Sequence, residues 1–96
     1  MPLFILTCLD RTDAGALRAE TREKHLGYLA DYMPMIKIAG PLLDDAGAMI
    51  GSMYVMEAAS KDEVERFTAG DPYRIAKLFS RVEILNWKIT VGEIAA

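Results

Sequence analysis

The chain has 96 residues, 52% hydrophobic and 26% charged, which suits one globular domain and excludes a disordered or fibrous chain. A net charge of −3, a pI of about 5.0 and the lack of a basic run argue against nucleic acid as the main partner. The one cysteine, Cys8, excludes an internal disulfide; Met1-Pro2-Leu3-Phe4 lacks the basic region and cleavage site of a signal peptide, and no apolar run would span a bilayer. The expectation is a soluble, cytoplasmic protein of one domain over 1–96, with no membrane contact.

Leu3 to Leu9 is a nearly unbroken apolar run with β-branched and aromatic members, short enough for a strand. Asp10 to Asp13 reads as a loop, with Thr12 or Asp13 placed to cap a helix from about Ala14 to Tyr32 or Met33, where Pro34 stops it. Met35 to Ala39 reads as a second strand ended by Gly40-Pro41. Asp44 to Gly47 is a turn cluster, and Met49 to Glu57 a third strand. Ser60 and Glu63 have the spacing of a capping box, opening a helix that carries Val64 and Phe67 inward and ends at Gly70. Asp71-Pro72 starts a short helix carrying Ile75, Leu78 and Phe79, because Asp accepts a free N–H and Pro at the first position loses none. Val82 to Val91 is the last strand, with Leu85, Trp87, Ile89 and Val91 on one face.

The order β-α-β-β-α-β predicts an α+β, ferredoxin-like fold: a four-stranded antiparallel sheet with both helices on one face. In the first strand Leu3, Ile5 and Leu9 oppose Phe4, Leu6 and Cys8, so both faces are apolar while helices cover only one. The third strand repeats this, with Met49, Met53 and Val55 opposed to Ile50, Tyr54 and Met56. An uncovered apolar sheet predicts a homodimer packed sheet to sheet.

On a helical wheel, Glu20, Glu23, Lys24, Gly27 and Asp31 form a solvated face. The opposite arc holds His25, the sole histidine, with Arg18 and Arg22 beside it among residues facing the sheet. Polar groups on an inward face need partners or water. One reading makes His25 a satisfied structural residue, the arginines snorkelling at the helix edge and Asp71 only a helix cap. The other lines a cleft where His25 moves protons with Asp71 as its carboxylate, and Arg18 or Arg22 grips a substrate carboxylate by its planar fork. Ser52 and Tyr73 are candidates to orient a substrate oxygen. A metal site is the weakest reading, since one His and one Cys leave mostly carboxylates and no ligand spacing occurs; no cofactor is expected. No nucleophile elbow surrounds Ser52, and Cys8 in a strand reads as packing.

Gly40-Pro41-Leu42, Ile50-Gly51-Ser52, Gly70-Asp71-Pro72-Tyr73, Val82-Glu83-Ile84 and Trp87, together with the helix histidine His25, resemble the YciI-like (YCII-related) family over nearly the whole chain. The resemblance implies a dimeric α+β barrel and a His–Asp site, here His25 and Asp71, with Ser52 as a neighbour. It departs at Ile75 to Phe79, where Lys77 stands in place of a glycine found in many relatives. A related domain is linked to dehydrochlorination of a chlorinated hydroxyhydroquinone, and muconolactone isomerases share the barrel. Both imply proton transfer on small oxygenated rings. The leading expectation is a lyase- or isomerase-like enzyme using His25 and Asp71 on a small oxygenated ring or organic acid. The alternative is a non-catalytic dimeric module that binds a small metabolite or a protein partner. Oxygenase chemistry on the same barrel is disfavoured, because one histidine would serve every role.

Overall fold

A computed structural model describes residues 1–94; residues 95–96, the end of the expected domain, lie outside them. The elements are β1 (Leu3–Asp10), α1 (Gly15–Ala30), β2 (Ile36–Leu43), β3 (Met49–Glu57), α2 (Lys61–Ala69), α3 (Pro72–Ile75) and β4 (Phe79–Trp87). The strands pair antiparallel in the order β2-β3-β1-β4, the ferredoxin-like arrangement that the element order implies. The apolar run of β1 takes a central place, and its alternation decides the two faces. Phe4, Leu6 and Cys8 join Tyr54 and Met56 of β3 against Val64 and Phe67 of α2 in the buried core. Leu3, Ile5 and Leu9 turn to the other side, where the sheet also presents Ile38, Met53, Leu85 and Trp87, the last four between 37% and 55% exposed. Both helix-side and open-side apolar sets therefore exist as the pleat requires.

Several boundaries differ from expectation, each for a local reason. Asp13 has φ 58°, so the chain enters α1 through Ala14, and neither Thr12 nor Asp13 caps it. The helix ends at Ala30, before Pro34; turns closed by Tyr32 N–H to the Leu29 carbonyl and Met35 N–H to the Tyr32 carbonyl carry the chain on. β2 runs through Gly40-Pro41 to Leu43 instead of stopping there. It is an edge strand, where a missing N–H costs no ladder bond. At Ser60 the hydroxyl makes no cap bond, while Glu63 reaches back to the Ala59 N–H at 3.2 Å, so half of the capping box forms one residue early. Ile75 is 68% exposed, because α3 is a single turn and only Leu78 beyond it is buried. β4 begins at Phe79, opposite Asp10, and ends at Trp87, opposite Leu3, so Ile89 and Val91 have no β1 residue left to pair.

Close approach requires glycine at position 51, against backbone, and leaves little room at position 70, against a side chain. A Cβ on Gly51 would collide with the Cys8 carbonyl of the adjoining strand, and one on Gly70 would lie 2.5 Å from the Tyr28 hydroxyl. That hydroxyl donates to the Phe67 carbonyl at 2.9 Å, tying α1 to the end of α2. Lys77 occupies a left-handed position, φ 61°, closing α3 by Lys77 N–H to the Arg74 carbonyl and Leu78 N–H to the Tyr73 carbonyl, both 3.0 Å. A non-glycine residue there costs about 1–2 kcal/mol.

Candidate active site

Helix α1 turns a polar stripe toward the sheet: its buried residues are Arg18, Thr21 and His25. Arg18 and His25 lie seven residues apart, two helical turns, and so share a face. The Asp71-Pro72 start of α3 brings Asp71 and Tyr73 up against that stripe. His25 Nδ1 is 2.8 Å from Asp71 Oδ1, with both side chains almost wholly buried. The same oxygen accepts the Tyr73 N–H at 2.9 Å, so the helix cap and the histidine share one carboxylate oxygen. Its two lone pairs allow this. The other oxygen, Oδ2, takes the Tyr54 hydroxyl at 3.4 Å. A carboxylate only accepts, so Nδ1 carries the hydrogen, and in the neutral imidazole Nε2 is the nitrogen left with a lone pair. The imidazole is further held flat against Tyr73, ring centroids 3.9 Å apart and planes 16° from parallel.

Arg18 is committed within the protein. Its Nε and Nη2 donate to the two oxygens of Asp10 at 2.7 and 2.9 Å, and Nη2 also donates to Ser52 Oγ at 3.0 Å. The guanidinium carbon lies 4.7 Å from the centroid of the Tyr73 ring, which also stacks on His25. Burial opposes the Arg18 charge, but the hydrogen bonds and charge of Asp10 outweigh it and hold the group above its ordinary value. Ser52 accepts from Arg18 and so keeps its own proton to donate. Burial pushes the Tyr54 phenol well above its ordinary range, the Asp71 charge adding to the effect, so Tyr54 stays a neutral donor. Burial also raises the Tyr73 phenol, partly offset by the charges of Arg18 and Arg22.

These groups line a cleft of about 240 Å³ between α1 and β2, walled by Leu26, Leu29, Pro41 and Met49. Arg22 stands exposed at its mouth and is in no ion pair among the described residues. The cleft thus combines apolar walls, an imidazole, hydroxyl donors and, among the described residues, one unpaired cation. His25, Arg18, Arg22, Ser52 and Tyr73 all line it, while Asp71 lies behind His25. Two residues escaped the sequence reading. Asp10 reads as a loop residue, although a buried arginine eight residues later needs a carboxylate; Tyr54 reads only as a member of one apolar face of the third strand, although it shares strand parity with Ser52. Among the described residues, no three His, Cys, Asp or Glu side chains gather as metal ligands, and no helix is long and apolar enough to cross a membrane.

The chain matches the YCII-related domain over residues 2–88. It belongs to the YCII-related family. A solved structure similar to this YCII-related chain is 5-chloro-2-hydroxyhydroquinone dehydrochlorinase (TftG) from Burkholderia phenoliruptrix AC1100, in complex with 2,5-dihydroxybenzoquinone. The two share 36% identity over 90% of this chain and 93% of that one, with a TM-score of 0.82. Protein Atu4242 from Agrobacterium tumefaciens (14% identity, 94% of each chain, TM-score 0.56) shares the fold. So does an antibiotic biosynthesis monooxygenase (7% identity, 95% of this chain and 100% of that one, TM-score 0.55). Among curated proteins, none matches.

Proposed function

We propose that this YCII-related protein is a lyase- or isomerase-type enzyme in which His25 moves a proton on a small hydroxylated ring or organic acid. The observation that carries the reading is the buried 2.8 Å contact of His25 Nδ1 with Asp71 behind a cleft that Nε2 can serve. The similarity to a dehydrochlorinase supports the ring as substrate class. Asp71 holds the imidazole in one tautomer and stabilises the imidazolium once it forms. Tyr73, stacked on the ring, fixes its plane; Ser52, gripped by Arg18, offers its O–H to a substrate oxygen. Arg22 takes an anionic oxygen, because the Arg18 fork is filled by Asp10. In an elimination, Nε2 takes the substrate proton, the electrons of that bond move into the ring, and the leaving group departs with its own bonding pair. The buried thiol of Cys8 suits a reducing, cytoplasmic setting.

A second copy covers the open sheet face in this reading. Ile38, Met53, Leu85 and Trp87, all more than a third exposed on that face, support this reading, because clustered apolar exposure marks an interaction surface. Sedimentation at micromolar concentration is expected to give a dimer that Leu85→Glu breaks; a monomeric wild type would refute it.

The enzymatic reading is tested on a panel of chlorinated hydroxyhydroquinones, other hydroxylated rings, lactones and small acids. Turnover of at least one is expected, with His25→Gln lowering kcat/KM by about 10²–10⁴-fold. No turnover and no protection against thermal unfolding by any of them would refute it.

A further inference from the structure

Away from the His25 cleft, the helix-side end of β4 forms an open cleft of about 550 Å³ lined by Arg11, Arg74, Lys77, Phe79, Ser80, Arg81 and Val82. Four cations line it and no acid does. In the rest of the chain seven cations face 14 acids, so the positive charge here is a local concentration against an acidic molecule. Arg74 pairs with Glu65 at 3.2 Å and Arg81 with Glu83 at 3.1 Å. Arg11 and Lys77 are in no ion pair among the described residues.

The segments that carry these cations are held by backbone bonds. Arg11 N–H donates to the Leu78 carbonyl at 2.8 Å, Lys77 N–H to the Arg74 carbonyl at 3.0 Å, and the Ser80 hydroxyl contacts the Leu9 and Asp10 carbonyls at 3.2 Å. Lys77 also sits where the backbone favours glycine, so its cation is kept at a conformational cost. We propose that this cleft is a second binding site, for a compact, multiply charged oxyanion of the phosphate or diphosphate class. The cleft volume is that of a small-ligand pocket. The acidic remainder of the molecule disfavours an extended polyanion, which would run past the cleft onto repelling surface. The proposal stands independently of the reading of His25.

The full chain, isotopically labelled, is titrated with inorganic pyrophosphate at constant ionic strength while backbone amide signals are followed. A saturable shift is expected at Arg11, Arg74 and residues 77–81. Affinity should fall about tenfold or more in Lys77→Gly and in Arg11→Gln. Lys77→Gly relieves the left-handed backbone, so the variant folds at least as well as the wild type and its loss of binding is readable. Equal shifts with sodium chloride, unchanged affinity in both variants, or shifts centred on His25 and Arg22 would each overturn the proposal.

Discussion

Replacing Asp10 by Asn removes the charge opposite Arg18 and leaves the shape almost unchanged. Both side chains are buried, 5% exposed for Asp10 and 6% for Arg18, and the pair is joined by two hydrogen bonds of 2.7 and 2.9 Å. A surface ion pair is worth about 0–1 kcal/mol. Here the substitution strands a guanidinium away from water, and breaking a buried pair in this way costs about 3–5 kcal/mol. For 96 residues that corresponds to a fall in Tm on the order of 20 °C. Urea unfolding, followed by fluorescence of the single tryptophan, Trp87, and by circular dichroism, gives the loss directly. Arg18→Gln, which strands the carboxylate, is expected to cost a similar amount. The double variant should lose less than the sum of the two by at least about 2 kcal/mol, because it strands neither charge. A loss under about 1 kcal/mol for Asp10→Asn, or simple additivity in the double variant, would refute the reading of this pair as a buried, mutually dependent ion pair.

Other outcomes follow from the same packing. Burial, with the Asp71 charge adding, pushes the Cys8 thiol from 9.0 up to about 12, and burial lifts Tyr54 above its ordinary 10.0. Above about pH 9 the unfolded chain releases protons that the folded one keeps; stability is therefore full below that pH and falls as pH rises toward 12. Urea midpoints measured from pH 8 to 11 should decline, less steeply in Cys8→Ala, and a flat profile in the wild type would contradict the burial argument. Gly51→Ala drives a Cβ into the Cys8 carbonyl and against the Leu42 side chain, and because the nearer obstacle is backbone a cost of about 2 kcal/mol or more is expected in the same assay. Lys77→Gly should raise stability by about 1 kcal/mol, a gain of about 5 °C in Tm by calorimetry; a loss would show that the lysine pays back its strain in packing.

The order of elements, the ferredoxin-like sheet and the two faces of β1 were legible in the chain itself. They depend on near neighbours: a period of two in strands, a period near 3.6 in helices, and turn residues between them. The same periodicity put His25 and Arg18 on the inward side of α1 but also Arg22, which the structure leaves exposed, and Asp71-Pro72 read as a helix start from two adjacent residues. Ends were less legible. β4 stops where β1 runs out of residues to pair, and β2 passes Pro41 because it is an edge, facts that belong to the sheet and not to the segment.

The contacts that the inward-facing polar groups of α1 make were decided by the tertiary structure, although Asp71 was already a candidate partner for His25 in the chain. His25 and Asp71 lie 46 residues apart, and Arg18 and Ser52 are 34 apart. The chain also left Arg18 and Arg22 as equal candidates for a substrate anion. Packing separates them, because Asp10 at the end of β1 fills the Arg18 fork while Arg22, one turn on, is unpaired among the described residues and lines the cleft. Sequence periodicity determines which side of an element a residue occupies, since that depends on backbone geometry alone. A hydrogen bond of 2.8 Å depends on where several packed elements come to rest, and no local pattern encodes a distance at that scale.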